Sequence, residues 1–432
     1  MGIIPCQAQD GAWSLERCVG YGVAHSPAMQ REAAQVGIYR QDLKEAVGRQ
    51  LPSVSASTSA GWTFGRLPDP RTNEYVNESR IFGNRMSIGA DLMLFSGFSL
   101  VNGSRLANVN RLAGMEHHLQ VANNQGVAIA TAYYDALFRS GMEQLAREQQ
   151  AQSGRMVQQL LRMAELGLKS RADVAEAKAK CATDSYNLTL SHNEHQLALV
   201  TLKQAMSFPQ SDTLILPSGQ PDSFAYAPVA VENLYKQAYA SQPRVKESEY
   251  RLRRCLLQVY VAKGRSLPTL SVSGGYSTSY SRDLVKGGDD AYSRQLKDLA
   301  SHYVEVNLRI PLFNGLKSRA DIRRSQLERQ MEKASYDETM QQLYAEVAKA
   351  VAEFEGAREA LAQARLQQEA QLLAYQTNER KYADGQIGII ELHSSANTLL
   401  KAKVEALKAQ VLYALNARVV AYFGGKLFVE KM

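Results

Sequence analysis

Cysteine is scarce in this chain: four residues in 432, at positions 6, 18, 181 and 255, with no CxxC pair. That excludes a disulfide-dense scaffold and a zinc-ribbon array. Cys6, Cys18, Cys181 and Cys255 read as free or incidental thiols, with a Cys6–Cys18 bridge left open. Long apolar runs are also missing. A spanning helix needs roughly 18 uninterrupted apolar residues, and the most apolar window, Val411 to Phe423, already holds Asn416 and Arg418. A bundle of membrane helices is therefore excluded. Glycine, at 29 residues, is too rare for collagen. No basic block with interleaved aromatics is present, because the Lys and Arg behind the net charge of +7 are spread over the whole length. Nucleic acid is not an expected partner. An apolar fraction of 45% and a charged fraction of 22% exclude a disordered tail. Residues 1–12 read as the remnant of an export signal: Ala8 offers a small residue at a cleavage site, without the basic and long apolar regions. Cys6 as a lipid-anchor residue has Pro5 where a small residue is expected.

What the chain does contain is itself, twice. The length of 432 halves to 216, and Leu51-Pro52 returns as Leu267-Pro268 at that offset. Ser26-Pro27 and Gln242-Pro243, each set inside a helix-like segment, precede these dipeptides by the same interval. Leu94-Phe95-Ser96-Gly97 corresponds to Leu312-Phe313-Asn314-Gly315. Gly167 corresponds to Gly385, each followed six residues later by an acid, Asp173 or Glu391. Four landmarks that keep one offset within two residues, 216 to 218, point to an internal duplication.

Each half reads as short helix, strand, loop, strand, very long helix, tight turn, long helix. After Pro52, Val54, Ala56, Thr58, Ala60, Trp62 and Phe64 alternate with small polar residues, the period of a strand. Met86 to Leu94, Leu270 to Tyr280 and Val304 to Leu312 alternate likewise. Strands of about ten residues suit a tilted membrane barrel, and a sandwich would alternate too. The connections, Arg66 to Arg80 and Ser281 to Ser301, are polar loops, fit for a barrel mouth or for any surface. From Leu316 to about Tyr382 there is no Pro, so a helix of about 100 Å is expected. Met340, Leu343, Val347, Ala350, Phe354, Ala357, Leu361 and Ala364 step by three and four, a heptad seam. Leu100 to Leu166 is its counterpart. Helices returning over Ser170 to Met206 and Ile389 to Phe423 complete two antiparallel coiled-coil hairpins.

Motifs for chemistry are few. Gly167-Leu-Lys-Ser-Arg-Ala-Asp173 recurs unchanged as Gly315 to Asp321, but lacks the first Gly of a phosphate loop. It reads as helix-start chemistry, with Ser170 an N-cap and Asp173 three residues on. His192 and His195 lie one turn apart on a helix without further metal ligands, and read as solvated, as do His117 and His118. Asp69, Asp91 and Asp184 have no triad partners. No catalytic, cofactor or metal residue is expected. The two turns are the better candidates: each Gly can end one helix in the left-handed conformation, and each acid opens the next. Capping alone accounts for them residue by residue; their recurrence makes them a candidate functional end.

Taken together, the duplicated Leu-Pro strand openings, Pro311-Leu-Phe-Asn-Gly315, Thr131-Ala-Tyr-Tyr, Leu166-Gly167-Leu168 with Asp173-Val174, and Tyr382-Ala-Asp-Gly385 resemble the TolC-like outer-membrane efflux and secretion channels. The resemblance runs from Trp13 to Gly425. It implies a mixed, mainly α fold, with long coiled-coil hairpins and four strands per chain contributing to a trimeric twelve-stranded membrane β-barrel. It divides the chain into a first structural repeat (13–208), a mid-tube linker (209–230), a second repeat (231–425) and a tail (426–432). The implied function is an outer-membrane exit duct with a helical tube in the periplasm. Its implied partners are two further copies, a periplasmic adaptor, indirectly an inner-membrane pump of RND or ABC type, and outer-membrane lipid. Asp173, Tyr382 and Glu391 fall where the family commonly has an acid, a Tyr and an acid at a periplasmic gate. Leu166, Gly167, Leu168, Gly385 and Ile387 fall at an adaptor-docking tip. Ile387 stands where some members place an Arg, so closure is expected to rest on packing around Tyr382. The competing class is an exported soluble coiled-coil interaction protein with a β-sandwich.

Overall fold

The computed structural model describes residues 12–68, 75–217, 230–284 and 291–429, except the side chains of residues 67, 68 and 76–79. The expected cleavage site, Cys6, Asp69, Pro221 and Pro228 of the linker, the 287–290 loop and the last three residues lie outside the described residues.

Two helices, α1 (Leu15–His25) and α2 (Pro27–Gly48), lead into strands β1 (Ser53–Pro68) and β2 (Tyr75–Ser96). Helices α3 (Ser99–Glu165) and α4 (Arg171–Met206) follow. The order then recurs as α5 (Val231–Ser241), α6 (Pro243–Gly264), β3 (Thr269–Asp283), α7 (Tyr292–Asp298), β4 (Ser301–Arg309), α8 (Lys317–Ala383) and α9 (Ile389–Phe423). Helix lengths match in pairs: 11 residues for α1 and α5, 22 for α2 and α6, 67 for α3 and α8. Pro27 and Pro243 do not lie inside helices, as their surroundings suggested, but open new ones. Proline drives the residue before it out of the helical region; Ser26 and Gln242 are both extended, with ψ of 126°.

The chain forms two compact units, each drawing on both halves: residues 1–35, 115–247 and 337–432 in one, 36–114 and 248–336 in the other. The second unit holds a four-stranded antiparallel sheet in the order β1-β2-β3-β4. Its register sets Ser57 opposite Ser87 and Ser277 opposite Ser301, with hydroxyls 2.8 and 2.9 Å apart. The strands differ from the expected uniform ten residues, at 16, 22, 15 and 9. Pairing carries β1 and β2 past the apolar alternation, through Trp62 opposite Phe82, to a bulge between Gly65 and Leu67. The second connection is likewise not a plain loop. Helix α7 packs on β3: Thr278 Oγ1 donates to the Leu296 carbonyl at 2.6 Å, and Gln295 exchanges hydrogen bonds of 3.0 Å with the Ser281 backbone.

Both strand-to-helix junctions use two successive left-handed residues, Gly97-Phe98 (φ 62° and 64°) and Gly315-Leu316 (φ 64° and 68°). At the first, a Cβ on residue 97 would overlap the Gly264 carbonyl oxygen and the Leu267 side chain.

The other unit is helical. Leu15, Cys18, Ile129, Tyr133, Leu202 and Met206 anchor a cluster of α1, α3 and α4. Leu234, Val245, Leu343, Val347, Phe354 and Val420 anchor one of α5, α6, α8 and α9. Leu160, Val174, Tyr375, Tyr382, Leu392 and Leu399 form a third, at the turns of the hairpins. The described part of the tail is docked, with Asn123 Oδ1 accepting from the backbone N–H of Phe428 and Val429 at 3.0 and 3.3 Å. Cys18 is buried and unbridged, and burial pushes its thiol up to about 12. Among the described residues no helix is long and apolar enough to cross a membrane, which says nothing of strands.

Because Gly97 combines a positive φ with closed surroundings, Gly97→Ala is expected to destabilise the protein by about 1–3 kcal/mol. Thermal unfolding followed by circular dichroism checks this, and Gly103→Ala, in open helical surroundings, is the control that should unfold no lower than the parent.

Candidate functional site

The two hairpin turns, both in the helical unit, share one backbone design. After α3, the Gly167 N–H reaches the Ala164 carbonyl at 3.0 Å and the Leu168 N–H reaches Met163 at 2.8 Å. After α8, Gly385 bonds to Tyr382 at 3.1 Å and Gln386 to Lys381 at 2.8 Å. This is the Schellman closure, which needs a left-handed residue at its pivot; Gly167 and Gly385 supply φ of 72° and 75°. The following helices start differently. Ser170 and Asp173 form a full capping box at α4: Ser170 Oγ accepts from the Asp173 N–H and Asp173 accepts from the Ser170 N–H, both at 3.1 Å. Gly388 opens α9 with no side-chain cap. The repeated heptapeptide does not repeat this geometry. At 315–321 its Gly and Leu are left-handed, and Asn314 Oδ1 accepts from the Ser318 N–H at 3.4 Å.

Asp173 lies close enough to Tyr382 for its charge to act on the phenol. Tyr382 is buried in the turn cluster, with Lys169 Nζ 4.6 Å from its ring centroid. Its phenol is raised above the usual 10, first by burial and then by the Asp173 carboxylate. Its hydroxyl has no hydrogen-bond partner among the described residues. Glu391 is exposed in the first turn of α9. Leu166, Gly167, Leu168 and Gly385 are exposed, whereas Ile387 packs against the turn cluster.

Three polar layers escaped the sequence reading. Gln152 donates to the Tyr375 hydroxyl, which donates to Glu379 at 3.4 Å. Lys180 Nζ donates to Asp184 Oδ1 at 2.7 Å and to Asn397 Oδ1 at 3.0 Å. Glu143, buried on α3, holds both His195 Nδ1 at 2.7 Å and His192 Nδ1 at 3.2 Å. Those histidines are therefore not simply solvated, and His117 is engaged too, 3.2 Å from Glu247. The pairing of a carboxylate on α3 with imidazoles 49 and 52 residues later is invisible to local spacing. Beside Glu143, the walls of α3, α8 and α9 leave a cleft of about 840 Å³ that also carries Arg147, Arg365 and Lys403. Among the described residues, no cluster of His, Cys, Asp and Glu has the form of a metal site.

Long helical hairpins and a four-stranded antiparallel sheet are shared with solved outer membrane channels. The Campylobacter jejuni CmeC outer membrane channel superposes with a TM-score of 0.82 over 96% of this chain and 87% of that one, at 15% identity. Residues 234–420 match the outer membrane efflux protein family. Protein CyaE of Bordetella pertussis is 24% identical over 80% of this chain and 70% of its own length. Outer membrane protein TolC of Escherichia coli is 22% identical over 90% and 78%. The chain is thus similar to the TolC-like outer membrane efflux proteins, in the family-model match of its second half and in relatives named as outer membrane proteins. The family is one of channels rather than enzymes.

The Glu143 layer gives a direct stability test. Burial raises its carboxyl pKa, but hydrogen bonds from His195, His192 and Arg147 outweigh that and hold it below the usual 4.5. A carboxylate with a depressed folded pKa contributes stability that is complete above its unfolded value and lost as pH falls through the folded one. Glu143→Ala is therefore expected to cost about 1–3 kcal/mol at neutral pH. Thermal unfolding of parent and variant should converge as the pH drops below that depressed value.

Proposed function

We propose that three copies of this chain close a twelve-stranded β-barrel, forming the outer-membrane exit duct of a tripartite efflux or secretion system. The observation that carries this reading is the sheet. Residues 53–66 of β1 and all of β4 are exposed, including Val54, Trp62, Phe64, Val304, Val306 and Leu308. These are the two edge strands, and a bilayer tolerates strands only where every edge is paired. Closure by two further copies meets that demand with four strands each.

Aromatic residues mark both ends of the sheet. Trp62, Phe82, Tyr280 and Tyr292 form one row, with ring centroids 5.4, 6.3 and 4.7 Å apart in turn. Phe95 and Phe98 meet edge to face at 5.3 Å at the other end. Phe82 and Phe95 are separated along β2 by roughly 43 Å of strand, or about 33 Å at a tilt near 40°, close to a bilayer's thickness.

The helical hairpins extend the duct through the periplasm, passively, to an adaptor and through it to an inner-membrane pump; the cargo follows the pump. Asp173, Tyr382 and Glu391 form the closable constriction. Tyr382 is packed under Lys169 beside Asp173, which supports closure by packing where Ile387 replaces an ion-pairing Arg. Leu166, Gly167, Leu168, Gly385 and Ile387 form the adaptor-docking tip.

In planar bilayers, Tyr382→Ala should raise single-channel conductance severalfold, and Glu391→Lys should shift selectivity from cations toward anions. Unchanged traces remove these residues from the constriction. Gly385→Trp should abolish pump-dependent resistance while the trimer still assembles, and normal resistance would exclude Gly385 from docking.

A further inference from the structure

The contact between α4 and α9 is made next to the turns, and it is unusually polar for a coiled-coil seam. Glu176, Lys180 and Asp184 follow one another at four-residue spacing on one face of α4, and His393 and Asn397 do the same on α9. Asp184 is almost wholly buried, with its side chain 1% exposed, and Lys180 is 15% exposed. Lys180 Nζ is shared between Asp184 Oδ1 on its own helix and Asn397 Oδ1 across the interface. Asp184 Oδ2 is buried without a hydrogen-bond partner among the described residues. A buried carboxylate with one oxygen unmet is costly, and it depends on its single ammonium partner.

We infer that Lys180, Asp184, His393 and Asn397 form a proton-sensitive latch that holds the two returning helices, α4 and α9, together above the constriction and releases them in mild acid. The inference rests on the proposed constriction and adds its regulation. Half-buried His393 stands one helical turn before Asn397, the residue that Lys180 bonds across the interface, and the charges of Lys180, Glu176 and Asp184 act on it from α4. Leu392 and Ala396, on either side of His393, share a cluster with Tyr375 and Tyr382 of α8, whose phenols are both raised and so neutral throughout this range, and Glu379 of α8 is bonded to Tyr375. From α3 the same cluster brings the apolar Leu160. Burial, and next the Lys180 charge, hold the imidazole below its usual 6.5. A histidine with a depressed pKa is neutral in the latched arrangement, and protonation favours any arrangement that rehydrates it. The latched state therefore loses stability as pH falls through that depressed value. An imidazolium also repels the ammonium that joins Asp184 to Asn397.

The test measures the α4–α9 separation directly. Spin labels at exposed Thr183 and Thr398, with Cys6 and Cys181 replaced by Ser, report the distance in the purified full-length protein at about pH 7.5 and about pH 5.5. The expected result is one short distance at the higher pH and a second, longer population in acid. His393→Gln, which keeps a polar side chain but cannot take up a proton, should hold the short distance at both. Asn397→Ala, which leaves the buried Lys180–Asp184 pair intact, should show the longer population already at the higher pH. A parent distance that does not change with pH, or an identical acid response in His393→Gln, overturns the latch. Bilayer conductance of the parent tests the channel reading independently, so either result can fail alone.

Discussion

A seam of buried side chains along the later part of α8 holds the helical unit in register. Leu343, Val347, Ala350, Phe354, Leu361, Ala364, Tyr375 and Tyr382 are all buried, at separations built from threes and fours. The facing helix α9 answers largely with alanine: Ala396, Ala402, Ala406, Ala409, Ala414 and Ala417 are buried. Large side chains of α8 pack against these small ones, as Leu361 does in the cluster with Ala406 and Ala409. Burying a Leu or Phe contributes about 1.5–3 kcal/mol, so sliding the seam by one turn is costly at many positions at once. Tyr382 is the last residue of that seam. The residue proposed to close the constriction thus ends the same series of buried side chains that begins at Leu343.

Polar groups enter the helical interfaces at intervals. The Glu143 layer ties α4 to α3, the Gln152–Tyr375–Glu379 chain ties α3 to α8, and the Lys180–Asp184–Asn397 layer ties α4 to α9. An apolar seam alone is tolerant of registers that differ by a heptad, whereas a buried carboxylate tolerates only the one that presents its donors. These layers therefore act on register more than on net stability. They also concentrate what is conditional in the fold, since a proton on Glu143 or His393 changes the balance and a proton on a leucine is impossible.

The parts of the fold set by short-range rules were legible in the chain. Alternation after Pro52 and Pro268 placed strands, the heptad spacing from Met340 placed the α8 seam, and Ser170 with Asp173 placed a capping box that the structure contains. The Gly167 and Gly385 turns were legible because only a left-handed residue closes a Schellman motif. What escaped depends on long-range contact. The Glu143–His195 layer joins residues 52 apart and the Lys180–Asn397 bond joins residues 217 apart. Nothing in the spacing of Asp184 distinguished it from a solvated helix acid. The lengths of the strands were missed for a related reason, since the backbone ladder continues wherever a partner is present, whatever the side-chain pattern.

The shortest strand sets a limit on the barrel that the proposed trimer would close. β4 pairs with β3 only from Thr269 to Ser277; past that point α7 takes the place of a fourth strand and carries Tyr292 onto the aromatic row. Nine residues is the lower end of what a strand tilted near 45° needs to span the hydrocarbon. The surplus length of β1 and β2 therefore lies beyond a continuous four-strand band, where Trp62 and Phe82 meet. A subunit boundary between β4 and the next copy's β1 can be no taller than β4 itself. The expectation of ten-residue strands was thus nearly right for the one strand that decides the height, and wrong for those whose length is free to exceed it.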